Sequence, residues 1–254
     1  VEIWNHLSKN ANPLKTLSII NSENGFPFNN VLSETKFESK EIYKDQFGWN
    51  INNHETKKIL LNLISKNKLI TFYKNDEITN IEKNNDYLTI FLKNNQKINT
   101  KLLIGADGRN SFIRKIYNIS VKLTNLEQKA ITFIIKHKNI HKDISYEIYY
   151  NGGPFTTIPL KSKDNNLSAV VWVDQINNIE KLLALSKKEF SNEVNRRSTN
   201  KLGAIKVVSN LQSFPVSSQL AEKLVDHRMI LIGEAAHALP PIGAQGLNLT
   251  IKDI

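Results

Sequence analysis

The chain has 254 residues, 40% hydrophobic and 23% charged, the make-up of a globular protein with material for one large or two smaller cores. It contains no cysteine, so disulfide staples, thiolate metal sites and redox cysteine pairs are excluded, and a reducing cytoplasm is compatible. The net charge of +10 comes from 29 Lys and only 5 Arg, scattered along a chain with 33 Asn, whereas nucleic-acid readers rely on clustered Arg; no nucleic-acid partner is expected.

In chain order, Leu17-Ser18-Ile19-Ile20 and Lys36-Phe37-Glu38 read as short strands. A helix opens at Asn52 or Asn53, with Glu55 in its first turn and Ile59, Leu60, Leu63 and Ile64 at helical spacing. Next come the apolar run Leu69-Ile70-Thr71-Phe72, a hairpin containing the alternating Tyr87 to Leu92, and the strand Leu102-Leu103-Ile104. The middle third is strand-rich, at Ala130 to His137, Tyr146 to Tyr150, Phe155 to Pro159 and Ser168 to Val173. Trp172, Tyr146, Tyr149 and Tyr150 read as core of this β-rich part. One helix is predicted from Ile179 to Arg197, then a last strand, Met229-Ile230-Leu231-Ile232. The strands at Leu102 and Met229 lack a polar face, which predicts a parallel sheet covered on both sides, with a β-rich second domain inserted between them. No run is long and apolar enough to span a bilayer, and no secretory signal is visible.

Two strand-to-turn motifs carry the chemistry. In the first, Leu102-Leu103-Ile104 ends in Gly105-Ala106-Asp107-Gly108-Arg109, and a helix follows from Asn110 or Ser111. Glycines admit a ligand close to the backbone, and the carboxyl ends of parallel strands are where open α/β sheets bind ligands. Asp107 would accept hydrogen bonds from ribose hydroxyls or orient a phosphate-binding turn. In the second, Met229 to Ile232 ends in Gly233-Glu234-Ala235-Ala236-His237, followed by Pro240-Pro241-Ile242-Gly243-Ala244-Gln245-Gly246-Leu247-Asn248-Leu249. The prolines stiffen the loop, and Gly243 to Gly246 offer bare amides ahead of a helix, a setting that favours negative charge such as the N1–C2=O edge of a reduced flavin. Either motif alone also fits an ordinary turn.

Together these strings resemble the flavoprotein aromatic hydroxylases of the p-hydroxybenzoate hydroxylase fold, and within them the ubiquinone-biosynthesis (UbiH-type) hydroxylases. The resemblance extends to Phe47-Gly48-Trp49, Gly153-Pro154, Ile158-Pro159-Leu160, Val171-Trp172, Phe214-Pro215 and Pro240 through Asp253. It implies an α/β (mixed α+β) fold: a Rossmann-like FAD/NAD(P)-binding domain with an inserted β-rich substrate domain. The expected segments are 1–44 and 120–221 for the substrate domain and 45–119 and 222–254 for the FAD-binding domain.

The resemblance further implies FAD as cofactor and NAD(P)H as reductant. An aromatic ring would be hydroxylated through a flavin C4a-hydroperoxide formed with O₂. The substrate would be a small hydrophobic aromatic, a polyprenyl phenol of ubiquinone biosynthesis or another ring. The cofactor-binding residues expected are Gly105, Asp107, Gly108, Arg109, Gly233, Glu234, Pro241, Gly243, Ala244, Gly246, Leu247 and Asn248, with Arg114 as a weaker candidate. Glu234 stands where the family usually has Asp. No acid–base triad or metal site is nominated, and His237 is expected to be a structural hydrogen-bonder. No Gly-x-Gly-x-x-Gly string is present, so the expectation is a chain lacking the family's N-terminal unit and C-terminal helices. Two outcomes are carried: an FAD monooxygenase of the cytoplasm, peripheral at the inner membrane and able to join a ubiquinone-biosynthesis complex, or a non-catalytic split-gene or decayed product pairing with a separately encoded N-terminal fragment.

Overall fold

The computed structural model describes residues 2–74 and 76–254. The chain divides into two compact units, Val1–Ile70 with Gln128–Pro215, and Thr71–Glu127 with Val216–Ile254. The divisions differ from the expected segments chiefly at 45–70, which fall in the first unit.

The first unit is a twisted sheet faced by helices. Its strands run in the order Asn30–Glu38, Thr16–Glu23, Ile144–Tyr150, Gly153–Leu160, Leu167–Gln175 and Val121–His137. All neighbours are antiparallel except Thr16–Glu23 and Ile144–Tyr150, which run parallel. The register sets Phe155 opposite Trp172 and Trp172 opposite Ile131, so alternate residues bring large side chains to one face. Ile20, Ile131, Phe133, Ile148, Phe155, Val170 and Trp172 form that core with Ile179, Phe190 and Val194 from the helices. All four strands expected in the middle third are present.

The single helix expected from Ile179 to Arg197 is two helices, Ile176–Leu183 and Lys187–Arg197. The break is a capping box: the Ser186 hydroxyl accepts from the Glu189 amide at 3.3 Å, and the Glu189 carboxylate accepts from the Ser186 amide at 2.9 Å. A Ser-x-x-Glu pair starts a new helix because it satisfies two otherwise orphaned donors. The helix Asn53–Lys66 forms as expected, and Asn52 caps it by accepting from the His54 amide at 2.9 Å. Leu69-Ile70-Thr71-Phe72 is not a strand; Leu69 is 94% exposed, and an apolar run without a pairing partner has nothing to hold it extended.

In the second unit, Ile78–Lys83, Leu88–Leu92 and Lys97–Thr100 make an antiparallel meander. Leu103–Gly105 and Met229–Leu231 pair in parallel despite the long segment between them, and Val225–Asp226 adds to the Met229 side. The expected cover on both faces is found on one. Met229 and Leu231 are buried with Ile113, Tyr117 and Leu88, whereas Ile104 is 54% exposed. Alternation along a strand sends neighbouring residues to opposite faces, and it is the face bearing Met229 and Leu231 that the unit's core covers.

Candidate functional site

Both motif turns lie in the second unit, at the carboxyl ends of its two adjacent parallel strands. Gly105 must lack a side chain: a Cβ there would stand 2.8 Å from Leu231 and 3.2 Å from Ile113. The Ile232 amide donates to the Gly105 carbonyl at 3.0 Å, which extends the pairing to the point where both chains turn. Gly108 adopts φ +82° with open space around it, a conformation costly for a side chain and a surface that a ligand can approach.

Asp107 caps the short helix Phe112–Ile116. Its Oδ2 accepts from the Phe112 amide at 2.7 Å and the Ile113 amide at 3.1 Å. Its role in the structure is therefore to fix the turn through that one oxygen. Arg114, a weaker candidate, is a rivet: buried, it donates to the Ala235 carbonyl at 2.8 Å and the Arg109 carbonyl at 2.7 Å. It thereby locks the two motif turns together. Across the same gap Arg109 donates to Ser217 Oγ at 3.2 Å and meets the Glu234 carboxylate at 3.5 Å. Gln219 Nε2 donates a second bond to the Arg109 carbonyl, at 3.1 Å. Glu234 is exposed, so its extra methylene puts a carboxylate at the turn's surface within reach of Arg109.

The second turn is anchored by Asp253. Gly233, at φ +59°, donates its amide to Asp253 Oδ2 at 2.7 Å, and His237 Nε2 lies 2.9 Å from the same oxygen. The Gly233 amide, foremost, and His237 hold the Asp253 carboxyl below its ordinary pKa. His237 is a hydrogen-bonding partner in the structure. Gly243 and Ala244 are both left-handed and swing the chain into the helix Gln245–Lys252. Pro241 through Asn248 are exposed, nothing lies near a Cβ at Gly246, and the amides of the first helical turn have no intrahelical acceptor. The Asn248 side chain turns back to the Ala244 carbonyl at 2.9 Å, while Leu247 projects outward.

Gly105, Asp107, Gly108, Arg109, Gly233 and Glu234 are thus brought together. The loop from Pro241 to Asn248 joins them through Asp253, and among the described residues no hydrogen bond links it to Asp107 or Arg109. Sequence reasoning missed the roles of Asp253, Ser217 and Gln219. Their partners stand 16 to 110 residues away, and no local spacing marks them. In the other unit, Trp172 is core as expected, but Tyr149 is not: it is exposed, and its hydroxyl donates to Glu147, which pushes its pKa up to about 12.

The residues present suit a dinucleotide with a flavin: open glycines, a cationic Arg109 and bare helical amides are a donor set for pyrophosphate and for an anionic ring edge. Solved structures share this fold. PqsL of Pseudomonas aeruginosa, solved with 2-aminobenzoylacetate, superposes with a TM-score of 0.82 at 15% identity over 99% of this chain and 68% of that one. The flavin-dependent halogenase CmlS gives 0.73 at 17% identity, over 98% of this chain and 47% of its own. The fold is that of the FAD-dependent monooxygenases and halogenases.

The family model described as FAD binding domain matches residues 8–254, and the chain belongs to that family. Among curated relatives, the ubiquinone hydroxylase UbiL of Rhodospirillum rubrum is 26% identical over all of this chain and 57% of its own length. The 3-demethoxyubiquinol 3-hydroxylase of Escherichia coli is 24% identical over 86% of this chain and 55% of its own. The chain spans about half the length of the curated relatives it matches.

Proposed function

We propose that the chain is the flavin- and substrate-binding body of an NAD(P)H-dependent monooxygenase that hydroxylates an aromatic ring, a polyprenyl phenol of ubiquinone biosynthesis. The observation that carries this is the pair of motif turns at adjacent parallel strand ends, riveted by Arg114 and facing each other through Arg109 and Glu234. FAD, when bound, supplies the oxygen-activating chemistry, and the chain's own residues position it and keep the site dry. Asp107 fixes the first turn, Arg109 offers its guanidinium to the pyrophosphate, Glu234 would take a ribityl hydroxyl, and the backbone from Gly243 to Asn248 would lie against the ring. The relatives' names support the substrate class. No described helix is long and apolar enough to cross a membrane. The excess of Lys would favour contact with an anionic lipid surface.

In a second reading, cofactor is held only together with a segment bearing Gly-x-Gly-x-x-Gly, a string that these 254 residues do not contain. Purification separates the two. A yellow protein whose flavin absorbance weakens on Gly246→Val supports the first reading. A colourless protein that gains flavin only on adding the segment supports the second, and failure to take up FAD under both conditions overturns both.

A further inference from the structure

The guanidinium assigned above to the pyrophosphate is already engaged within the second unit. Arg109 Nη1 donates to Ser217 Oγ at 3.2 Å, and Nη2 lies 3.5 Å from Glu234 Oε1. A guanidinium grips a phosphate best through two parallel N–H groups, and each terminal nitrogen here has a protein oxygen as partner. The backbone beneath it is fixed: the Arg109 carbonyl accepts from Arg114 at 2.7 Å and from Gln219 at 3.1 Å.

The carboxylate opposite is held more loosely. The Glu234 side chain is 56% exposed, and among the described residues Arg109 is its one ion-pair and hydrogen-bond partner. The turn that carries it is fixed, because the Gly233 amide donates to Asp253 Oδ2 at 2.7 Å. At 3.5 Å the contact depends on the full length of the glutamate arm. An exposed pair of this kind is worth at most about 1 kcal/mol, so it holds Arg109 in the free chain and yields to a stronger anion. A diphosphate is such an anion, since it offers several charged oxygens to the same fork.

We infer that Glu234 is an internal competitor for Arg109: it occupies the guanidinium in the free chain, and the diphosphate of a nucleotide cofactor displaces it. This rests on the reading above in which Arg109 takes the pyrophosphate. Opening the ion pair is part of each binding event, so affinity stands below what the same donors would give unpaired. Once displaced, Glu234 is free to accept from a ribityl hydroxyl, which couples the diphosphate end of the cofactor to its ribityl part.

The test uses the full chain with Glu234→Gln, which removes the charge and keeps an oxygen able to accept from a ribityl hydroxyl. Both side chains of the pair reach solvent, so the core is untouched. FAD is titrated by flavin fluorescence, without turnover. Glu234→Gln is expected to tighten FAD on the order of threefold at low salt, and to gain nothing at about 0.5 M sodium chloride, where exposed charges are screened. In an Arg109→Gln background less than half of that gain should remain. In parallel, inorganic diphosphate is titrated into nitrogen-15 labelled chain, reading the Arg109 Nε–H resonance, assigned among the chain's 5 Arg by its loss in Arg109→Gln. It should saturate at a lower diphosphate concentration in Glu234→Gln. If Glu234→Gln weakens diphosphate or FAD, the pair orients Arg109 for the ligand and the competition is overturned. It is also overturned if half or more of the gain survives without Arg109, the mark of a general charge effect, or if diphosphate leaves the Arg109 resonance unmoved. Diphosphate that binds more tightly to Glu234→Gln while FAD binds neither form upholds the competition and fails the flavin reading of the chain by itself.

Discussion

Arg114 shows how one side chain decides the geometry of the motif turns. It is buried, and its guanidinium donates to two carbonyls, of Ala235 and Arg109, in turns more than 100 residues apart. Removing it leaves the Ala235 carbonyl without a donor, the Arg109 carbonyl with Gln219 alone and a cavity behind, so Arg114→Ala is expected to cost about 2–4 kcal/mol in urea unfolding. Arg114→Lys recovers only part of this, because an ammonium cannot present a planar fork to two acceptors. His137 and His141 are a second residue-scale case. His137 lies between the Asn139 carbonyl and Ser168, and His141 between the Leu160 carbonyl and the Asp143 amide. Burial, above all, holds both below the ordinary value of 6.5. The unfolded chain therefore binds these protons first as pH falls. Their contribution is whole above about pH 6.5 and is lost as pH drops through that value toward the folded pKa. The melting temperature should fall between pH 7 and 5, and His137→Gln should flatten that slope; an unchanged slope would assign it elsewhere.

Elements here are set by caps as much as by apolar periodicity. The stretch from Ile176 to Arg197 has helical spacing throughout, yet the Ser186–Glu189 box divides it, and the second helix then turns Phe190 and Val194 into the core. Ser186→Ala should destabilise the protein by about 1 kcal/mol and raise amide exchange first in Lys187–Arg197. If exchange rises equally in Ile176–Leu183, the two helices act as one and the break is incidental. The loop before Gln245–Lys252 works differently: Gly243 and Ala244 both take left-handed backbone, a costly conformation for Ala that is held by the flanking Pro240-Pro241 and the Asn248 side chain.

At the scale of whole units, the second one buries Met229 and Leu231 on one face of the parallel pair and leaves Ile104 exposed. Leu102, Ile242, Leu247 and Ile251 of the same unit are exposed as well. Exposed apolar side chains bind hydrophobic dyes and drive self-association. The chain by itself should enhance the fluorescence of an anilinonaphthalene dye, and Ile104→Glu with Ile251→Glu should reduce that by more than half. An unaffected signal would place the dye on the first unit, where Phe26 and Tyr43 are also exposed.

The amino-acid sequence by itself determined what depends on neighbours in the chain: the strands of the middle third, the Asn52-capped helix, and both Gly-acid turns, whose residue types have a meaning at fixed spacing. The family followed from those turns. The tertiary structure alone decided which of their residues point at a ligand and which serve the fold. Asp107 spends one oxygen on a helix end, Arg114 joins the turns, and Asp253 holds Gly233 from 20 residues away. Burial and pairing at long range are sums over the whole packed chain, and no local pattern carries them.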